Sequence, residues 1–158
     1  MPPQTLFDIS KIDLNKTVVT REEIYKVNPH AHEFALLDGF SHIDRANMEM
    51  IAYVDMKPQD FWVRGHIPGR PIFPGVLMIE SAAQMISYFV MTAEKFEGFL
   101  GFGAVDEVKF RGQVKPGDRL VLVGKMTEIR GKRRARGAVQ GFVGDQMVFE
   151  GIITGMVI

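Results

Sequence analysis

The stretch from residue 76 to residue 91, VLMIESAAQMISYFVM, restricts the possible folds of this chain more than any other segment. It has the length of a helix and contains neither proline nor glycine, the two residues that break helices. Apolar residues would lie on nearly every side of this helix, which is typical of a helix buried inside a domain. The wider segment 75–93 is too polar and too short for a membrane span, because a glutamate, a glutamine and serines interrupt it.

Runs of β-forming residues surround this helix in the sequence. They cover residues 34–44, 48–55, 98–110, 119–129, 134–143 and 147–158. Turn signals separate the last three runs, which predicts that they pair as an antiparallel meander. One buried helix and about six strands indicate an α+β domain, with a sheet wrapped around the helix. Because such a sheet covers only part of the helix, we expect a second copy of the chain to complete its burial.

The 158 residues have the length of one domain. No repeat, linker or low-complexity segment divides the sequence, so we expect a single domain over residues 1–158. Residues 1–27 add an N-terminal arm and a short helix. Thr20 followed by Glu23 forms a capping-box pattern, which predicts that this helix begins there and ends before Pro29.

The composition excludes several classes of function. There is no cysteine, which rules out disulfides, thiolate metal sites and a cysteine nucleophile. The charges of the 19 basic and 19 acidic residues cancel, which argues against a protein that binds nucleic acid or an anionic membrane over a whole face. The N-terminus MPPQTLFDIS lacks a basic start followed by an apolar run, so we predict no signal peptide and a cytoplasmic location.

Residues 64–75, RGHIPGRPIFPG, contain three prolines and three glycines and predict a rigid, irregular loop that leads into the helix. His66 lies in this loop. Its imidazole is the side chain best matched to proton transfer near neutral pH. A lone loop histidine is more often structural or exposed, but a loop this rich in proline and glycine holds its side chains in place, as a catalytic base requires.

The loop ends at Pro74, where the helix is predicted to start. The backbone N–H groups of Gly75 and Val76 then have no partner within the helix and lie at the positive end of its dipole. Because glycine has no side chain, a ligand oxygen can approach closely. This arrangement suits a carbonyl oxygen that gains negative charge, as in an enolate. The alternative is that Pro-Gly only starts the helix sharply.

Glu80 is a carboxyl group inside a helix that is otherwise almost entirely apolar. Burial of an unpaired carboxylate is costly, so we expect the pKa of Glu80 to rise and the group to act as an acid or to hold a hydroxyl. Gln84 lies one turn later on the same face and could hydrogen-bond Glu80 and fix its rotamer. The alternative is a glutamate that reaches the helix edge to meet an arginine or lysine.

A base, an acid and an oxyanion donor beside apolar residues favour one reaction class, removal of a proton α to a thioester with loss of a β-hydroxyl group. In this interpretation His66 takes the α-proton, the Gly75 N–H stabilises the enolate-like oxygen, and Glu80 binds the β-hydroxyl and helps it leave. The reaction needs no metal and no other cofactor.

Two other kinds of site have weaker support. His30 and His32 are two residues apart, which would place them on one face of a strand, but a third metal ligand is missing. A serine-histidine-acid triad lacks the Gly-x-Ser-x-Gly elbow.

These residues resemble a known family. Residues 65–84, GHIPGRPIFPGVLMIESAAQ, are similar to the signature of the β-hydroxyacyl-[acyl-carrier-protein] dehydratases of fatty acid synthesis. Residues 28–38 resemble the family's strand entry with its Pro-His pair, and residues 102–120 resemble its later strands. The resemblance covers residues 28–158, and the block 65–84 is highly specific.

The resemblance implies a hot-dog fold, with the sheet wrapped around the long helix, and an obligate homodimer that often assembles into a trimer of dimers, a homohexamer. It implies that His66 is the catalytic histidine, Glu80 the acid and Gly75 the oxyanion donor, with histidine and acid from opposite subunits. A glutamate at the acid position resembles the non-isomerising dehydratases.

The substrate that the resemblance implies is a β-hydroxyacyl group on the phosphopantetheine of an acyl carrier protein, and the product is a trans-2-enoyl thioester. A hot-dog acyl thioesterase and a non-catalytic acyl-binding subunit are the alternatives, because one fold hosts several functions. Two segments depart from the family pattern: residues 31–34, AHEF, replace the usual Arg-Tyr-Pro-Phe, and residues 60–64, DFWVR, are unusual. We expect both near the pocket wall or entrance, so acyl chain length and lipid pathway stay open.

Basic residues offer contacts for an acidic carrier protein. The candidates are Lys132, Arg133, Arg134 and Arg136 on a predicted hairpin tip, with Arg64 and Arg70 near the expected mouth of the pocket. The alternative for the hairpin is a solvated tip whose charges block edge pairing. For Arg70 the alternative is a structural role within the loop.

Overall fold

A long helix lies against one antiparallel sheet in the computed structural model, which describes residues 4–93 and 97–158. The helices are α1 (Arg21–Val27) and α2 (Gly75–Ala93), and a single 3₁₀ turn covers His32–Phe34. The strands are β1 (Val19–Thr20), β2 (Gly39–Asp44), β3 (Glu49–Asp55), β4 (Leu100–Phe110), β5 (Arg119–Arg130), β6 (Arg134–Val143) and β7 (Gln146–Val157).

The sheet has the strand order β1-β2-β3-β5-β6-β7-β4, and each neighbouring pair is antiparallel. The buried side of α2, which includes Met85 and Phe89, packs against inward-facing residues of the central strands such as Leu122 and Ile153. By length and composition alone α2 could cross a membrane, but half of its apolar window is buried inside the protein, as in the core helix of a soluble domain.

This arrangement is the hot-dog α+β fold that the sequence predicts. The meander β5-β6-β7 is confirmed, and so is the capping box of α1, in which the Glu23 amide donates to Thr20 Oγ1 and the Thr20 amide to Glu23 Oε2. One detail of the prediction is wrong, because residues 34–38 precede β2 instead of belonging to it. The sheet has one strand more than the six runs found in the sequence, because β1 pairs with β2.

The N-terminal arm, residues 4–18, covers the outer face of the sheet. Successive strand residues point to opposite faces, so Leu122 faces α2 while Val123 faces outward into a second, smaller core. The arm side chains that pack on this core are Leu6, Phe7, Ile9, Ile12 and Leu14. The side chain of Gln140 anchors the arm by accepting from the Leu6 amide at 3.0 Å and donating to the Gln4 carbonyl at 3.0 Å.

Strand β4 forms one edge of the sheet and pairs only with β7 among the described strands. Most of its eleven residues are exposed, including the apolar side chains of Phe102, Val105 and Phe110. A long apolar edge strand with free backbone groups is a template for pairing with another chain.

The arm should contribute to stability through its apolar contacts. We expect Phe7→Ala to lower the free energy of unfolding by about 1–2 kcal/mol, less than a substitution in a full core costs. Phe61→Ala, which removes a ring that is 46% exposed, should change it by less than about 0.5 kcal/mol. Urea denaturation of both variants measures the difference, and equal midpoints would show that the arm does not support the sheet.

Candidate active site

His66 lies in the irregular segment 56–74 between β3 and α2. Its backbone N–H donates to the carbonyl oxygen of Trp62 over 2.8 Å, and its ring Nδ1 lies 2.8 Å from the carbonyl oxygen of Ile72. Because a carbonyl oxygen only accepts, Nδ1 carries a proton in this contact, and in the neutral imidazole the lone pair is therefore on Nε2. The loop thus makes Nε2, not Nδ1, the nitrogen that can accept a proton.

The backbone next to His66 is strained. Ile67 has φ of 60°, in the left-handed region that a β-branched residue rarely adopts. Such strain persists only where the surroundings impose it, and it concentrates at functional sites. Here Trp62 fixes the loop, because its buried ring packs edge-on against Phe73 at 5.3 Å and the Phe73 amide donates to the carbonyl of Val114.

The start of α2 offers two free amides. The N–H groups of Leu77 and Met78 donate to the Pro74 carbonyl, whereas those of Gly75 and Val76 donate to no other residue in the described segments. A β-carbon on Gly75 would lie 2.8 Å from the ring of Phe110, so a larger residue would not fit unless that ring moved. These two N–H groups at a helix N-terminus can receive an oxygen that carries negative charge.

Two side chains contact the same carboxylate oxygen of Glu80. Gln84 Nε2 donates to Glu80 Oε1 at 2.8 Å, as the sequence predicts, and His30 Nε2 lies 3.3 Å from the same oxygen. Gln84 is fully buried, and its remaining groups bond to the Phe34 carbonyl, the Leu36 amide and the Tyr25 hydroxyl. The carboxyl group of Glu80 is thus fixed by a network that joins α2 to the segment before β2.

The pKa of Glu80 is lowered, not raised as the sequence suggested. Burial is the largest single influence and raises the pKa of this carboxyl, but the interactions with His30 and Gln84, which include the charge of His30, together outweigh it. The expectation was wrong because the sequence did not show that His30 reaches Glu80. In this chain Glu80 is therefore a carboxylate at neutral pH.

Glu80 opens into a cavity of about 240 Å³ between α2, the start of β4 and the end of β7. The polar side chains in its wall are those of His30, Glu80, Gln84, Ser87 and Thr154; the rest is largely apolar, with Phe99, Leu100, Phe102 and Ile153 among the residues. His66 does not line this cavity, and no contact joins it to Glu80 in the described segments. One chain therefore does not bring the two predicted catalytic groups together.

The two segments that depart from the family pattern meet at a second cavity of about 560 Å³. Its lining includes His32, Glu33, Asp60, Phe61 and Trp62. Neither His66 nor Glu80 lines it. The departures therefore lie in the wall behind the histidine loop, where Trp62 supports His66, and not in the cavity of Glu80.

The predicted basic residues form two groups within one chain. Lys132 and Arg133 lie in the turn between β5 and β6, next to the end of β7, where the Val157 amide donates to the Arg133 carbonyl. Arg134 and Arg136 lie within β6, and Arg134 is 3.8 Å from Glu128. Arg64 and Arg70 are exposed on the histidine loop, which leads into α2.

The assumption that His30 and His32 share one face of a strand is wrong. His32 lies in the 3₁₀ turn, not on a strand, and His30 points to Glu80. A different group, His42, Asp44 and Glu49, brings three possible ligand atoms within 4.8 Å of one another. Other partners account for its carboxylates, since Lys125 lies 3.2 Å from Glu49 and Asn47 bonds to Asp44.

The strain at Ile67 can be tested by substitution. Ile67→Gly should give a higher free energy of unfolding than Ile67→Ala by about 1 kcal/mol, because only glycine adopts this φ without strain. This order of stability is the reverse of the usual one, in which the alanine variant is more stable than the glycine variant. Chemical denaturation of the two variants measures it, and an alanine variant as stable as the glycine variant would contradict the assignment of strain.

Comparison with known proteins identifies the family to which this chain belongs. The family model described as the FabA-like domain matches residues 28–152. The 3-hydroxyacyl-[acyl-carrier-protein] dehydratase FabZ of Clostridium kluyveri is 32% identical over 137 residues, which cover 86% of this chain and 94% of that protein. The enzyme of the same name from Moorella thermoacetica is 33% identical over 129 residues, covering 81% and 89%.

Solved structures agree with the fold. The dehydratase heterocomplex ApeI:P from Xenorhabdus doucetiae superposes with a TM-score of 0.73 at 12% identity, covering 85% of this chain and 90% of that chain. Thioesterase superfamily member 2 from Mus musculus superposes with a TM-score of 0.64 at 14% identity, covering 86% and 92%. At such identities the likeness shows the fold alone. The match to the family model over most of the sequence and the identity to the two FabZ enzymes show more: this chain belongs to the FabA-like domain family.

Proposed function

We propose that this chain dehydrates 3-hydroxyacyl thioesters on acyl carrier protein to trans-2-enoyl thioesters, the activity that the names of its FabZ relatives state for those proteins. The observation that carries the proposal is the placement of Glu80, a carboxylate fixed through Oε1 at the wall of a largely apolar cavity. The pathway is fatty acid synthesis or the synthesis of a related lipid.

The active unit in this proposal is a homodimer joined through β4. The exposed apolar edge of that strand supports such pairing. A two-fold interface brings the same strand from both chains together antiparallel, so the start of one β4 lies beside the end of the other. Assembly of three such dimers into a hexamer stays a prediction from the family resemblance.

This pairing explains why one chain holds only half of the site. The cavity of Glu80 lies at the start of β4, while Gly75 packs on Phe110 at its end. Antiparallel pairing therefore brings the partner's histidine loop and helix N-terminus toward the cavity. The site would combine Glu80 of one chain with the partner's His66 and the partner's Gly75, and two such sites form per dimer.

The reaction then follows from the groups present. The lone pair of His66 Nε2 takes the proton from the carbon next to the thioester, and the electrons of that C–H bond move onto the carbonyl oxygen, held by the Gly75 and Val76 amides. As the enolate collapses, the C–C double bond forms and the C–O bond to the β-hydroxyl breaks. Glu80 gives that oxygen a proton, so the products are the enoyl thioester and water. Neither a metal ion nor an organic cofactor takes part in these steps.

Glu80 can donate a proton only if it carries one when the substrate is bound. Burial already raises the pKa of its carboxyl more than any other single influence. A bound acyl chain and the partner subunit would remove more water from the cavity, which raises the pKa further toward the range where the carboxyl holds a proton. The pKa of Glu80 is thus lowered while the cavity is open, and this is compatible with Glu80 acting as an acid once the substrate and the partner subunit close the cavity.

The same dimer would join the two basic groups. The hairpin turn with Lys132 and Arg133 lies beside the start of β4, and the loop with Arg64 and Arg70 lies near its end. In the antiparallel dimer, the partner's loop comes next to this hairpin. A continuous basic surface at the mouth of the site suits an acidic carrier protein. The absence of cysteine fits a reducing compartment, and we place the reaction in the cytoplasm.

The proposal is tested with 3-hydroxyacyl and saturated acyl thioesters of acyl carrier protein. We expect enoyl product from the first, followed by its ultraviolet absorbance, and no free thiol from the second. His66→Ala should lower turnover by at least about a hundredfold, because a general base is lost, and Glu80→Gln should be nearly as damaging. Lys16→Ala, on the arm, serves as the control and should keep full rate.

Free thiol released from the saturated thioester would show a thioesterase instead. Acyl binding with full activity retained in His66→Ala would remove that residue from the mechanism. Acyl binding without conversion of either substrate by the wild-type protein would indicate a non-catalytic acyl-binding subunit.

A further inference from the structure

His30 contacts Glu80 without being free to act on a substrate. Its Nε2 lies 3.3 Å from Glu80 Oε1. Its Nδ1 is buried and has no hydrogen-bond partner among the described residues. A protonated Nδ1 at that position would be a buried donor without an acceptor, which is costly. The neutral tautomer, with the proton on Nε2, therefore donates to Glu80 and leaves neither nitrogen available to the cavity.

The position of His30 is fixed by its neighbours along the chain. Asn28 is 2% exposed, and its side-chain Nδ2 donates to the backbone carbonyl of Gln84 at 2.9 Å. The backbone N–H of Asn28 donates to the backbone carbonyl of Ile24. The ring of Tyr25 meets the His30 ring edge-on, with centroids 6.4 Å apart at 79°. Tyr25 is itself held, because its hydroxyl donates to Gln84 and accepts from the Leu37 amide.

Both donors to Glu80 use the same oxygen. His30 and Gln84 bond to Oε1, and no described residue bonds to Oε2. The carboxylate is thereby contacted from two parts of the chain: Gln84 lies one turn further along α2, and His30 lies in the segment that follows α1. Two directional bonds to one oxygen fix the plane of the carboxyl group and leave the other oxygen for a ligand.

We propose that His30 is a positioning residue for the acid of this enzyme: its Nε2–H holds Oε1 of Glu80, so that Oε2 alone meets the β-hydroxyl of the substrate. The inference rests on the proposed function for its catalytic consequence, although the contact itself does not. Gln84 alone would leave the carboxyl free to rotate about one hydrogen bond. His30 supplies the second bond and, with it, the alignment of the departing hydroxyl.

Two substitutions separate this role from simple packing. His30→Phe keeps a ring against Tyr25 and removes the donor, whereas His30→Gln places an amide N–H near the position of Nε2 and keeps the donor. We expect His30→Phe to lower kcat by about tenfold, with KM changed by less than about twofold, because a group that aligns the reacting atoms is lost. His30→Gln should recover most of that loss.

The pKa of the Glu80 carboxyl provides a readout that does not depend on turnover. It is measured by ¹³C NMR of the protein labelled at glutamate side-chain carboxyls, with Glu80→Gln identifying the resonance. Because the His30 hydrogen bond lowers this pKa, its removal in His30→Phe should raise it, while His30→Gln should leave it near the wild-type value. Thermal unfolding of each variant shows whether it is folded.

The outcomes are distinct. Equal pKa values for Glu80 in wild type and folded His30→Phe would overturn the proposal. So would a full loss of kcat in His30→Gln if the pKa of Glu80 stayed at its wild-type value. A raised pKa in His30→Phe together with no dehydration by the wild-type protein would leave the His30–Glu80 contact intact and refute the proposed function instead.

Discussion

A carboxylate inside an apolar helix has to be paired, and the structure around Glu80 depends on that requirement. Gln84 is the centre of the pairing, since its amide bonds at once to Glu80, to Tyr25 of α1 and to the backbone before β2. These bonds tie α1 and residues 28–37 to the core helix. A buried polar side chain is costly when its hydrogen-bonding groups have no partners, and the amide oxygen and nitrogen of Gln84 both have partners.

The same helix supports the proposal of a second subunit. One sheet covers one side of α2, and β4 leaves an apolar edge at the side where the cavity of Glu80 opens. Pairing of that edge with a copy of itself would extend the sheet and close the cavity. In the proposed dimer, the chemistry and the burial of apolar surface would thus use the same interface.

Much of the fold could be predicted from sequence because its signals are local. The apolar stretch gave α2, Thr20 and Glu23 gave the start of α1, and the turns between residues 116 and 145 gave the meander. The bond from Gln84 to Glu80 was also predictable, since both lie on one helix face. Strand β1 was missed because two residues are too few to show an alternating pattern of apolar and polar side chains. Its pairing also depends on β2, about twenty residues further along the chain.

The site was predicted less completely because its contacts are not local. The block 65–84 singled out His66, Glu80 and Gly75 as candidates, and the family resemblance predicted that the histidine and the acid come from opposite subunits. His30 is 50 positions from Glu80, and the sequence raised it only as a poorly supported metal ligand, not as a partner of Glu80. That missed contact reversed the sign of the pKa shift of Glu80. A sequence shows that a carboxyl is surrounded by apolar residues, but not which distant donor reaches it.

The central claim is that each site takes its histidine from one chain and its glutamate from the other. The direct measurement is the activity of a mixed dimer of His66→Ala and Glu80→Gln chains, co-expressed with different affinity tags and purified through both. One of its two sites would then contain both intact residues, so we predict about half of the wild-type activity per dimer. Activity no greater than that of the single-variant dimers would show that histidine and glutamate act within one chain, and would contradict the account.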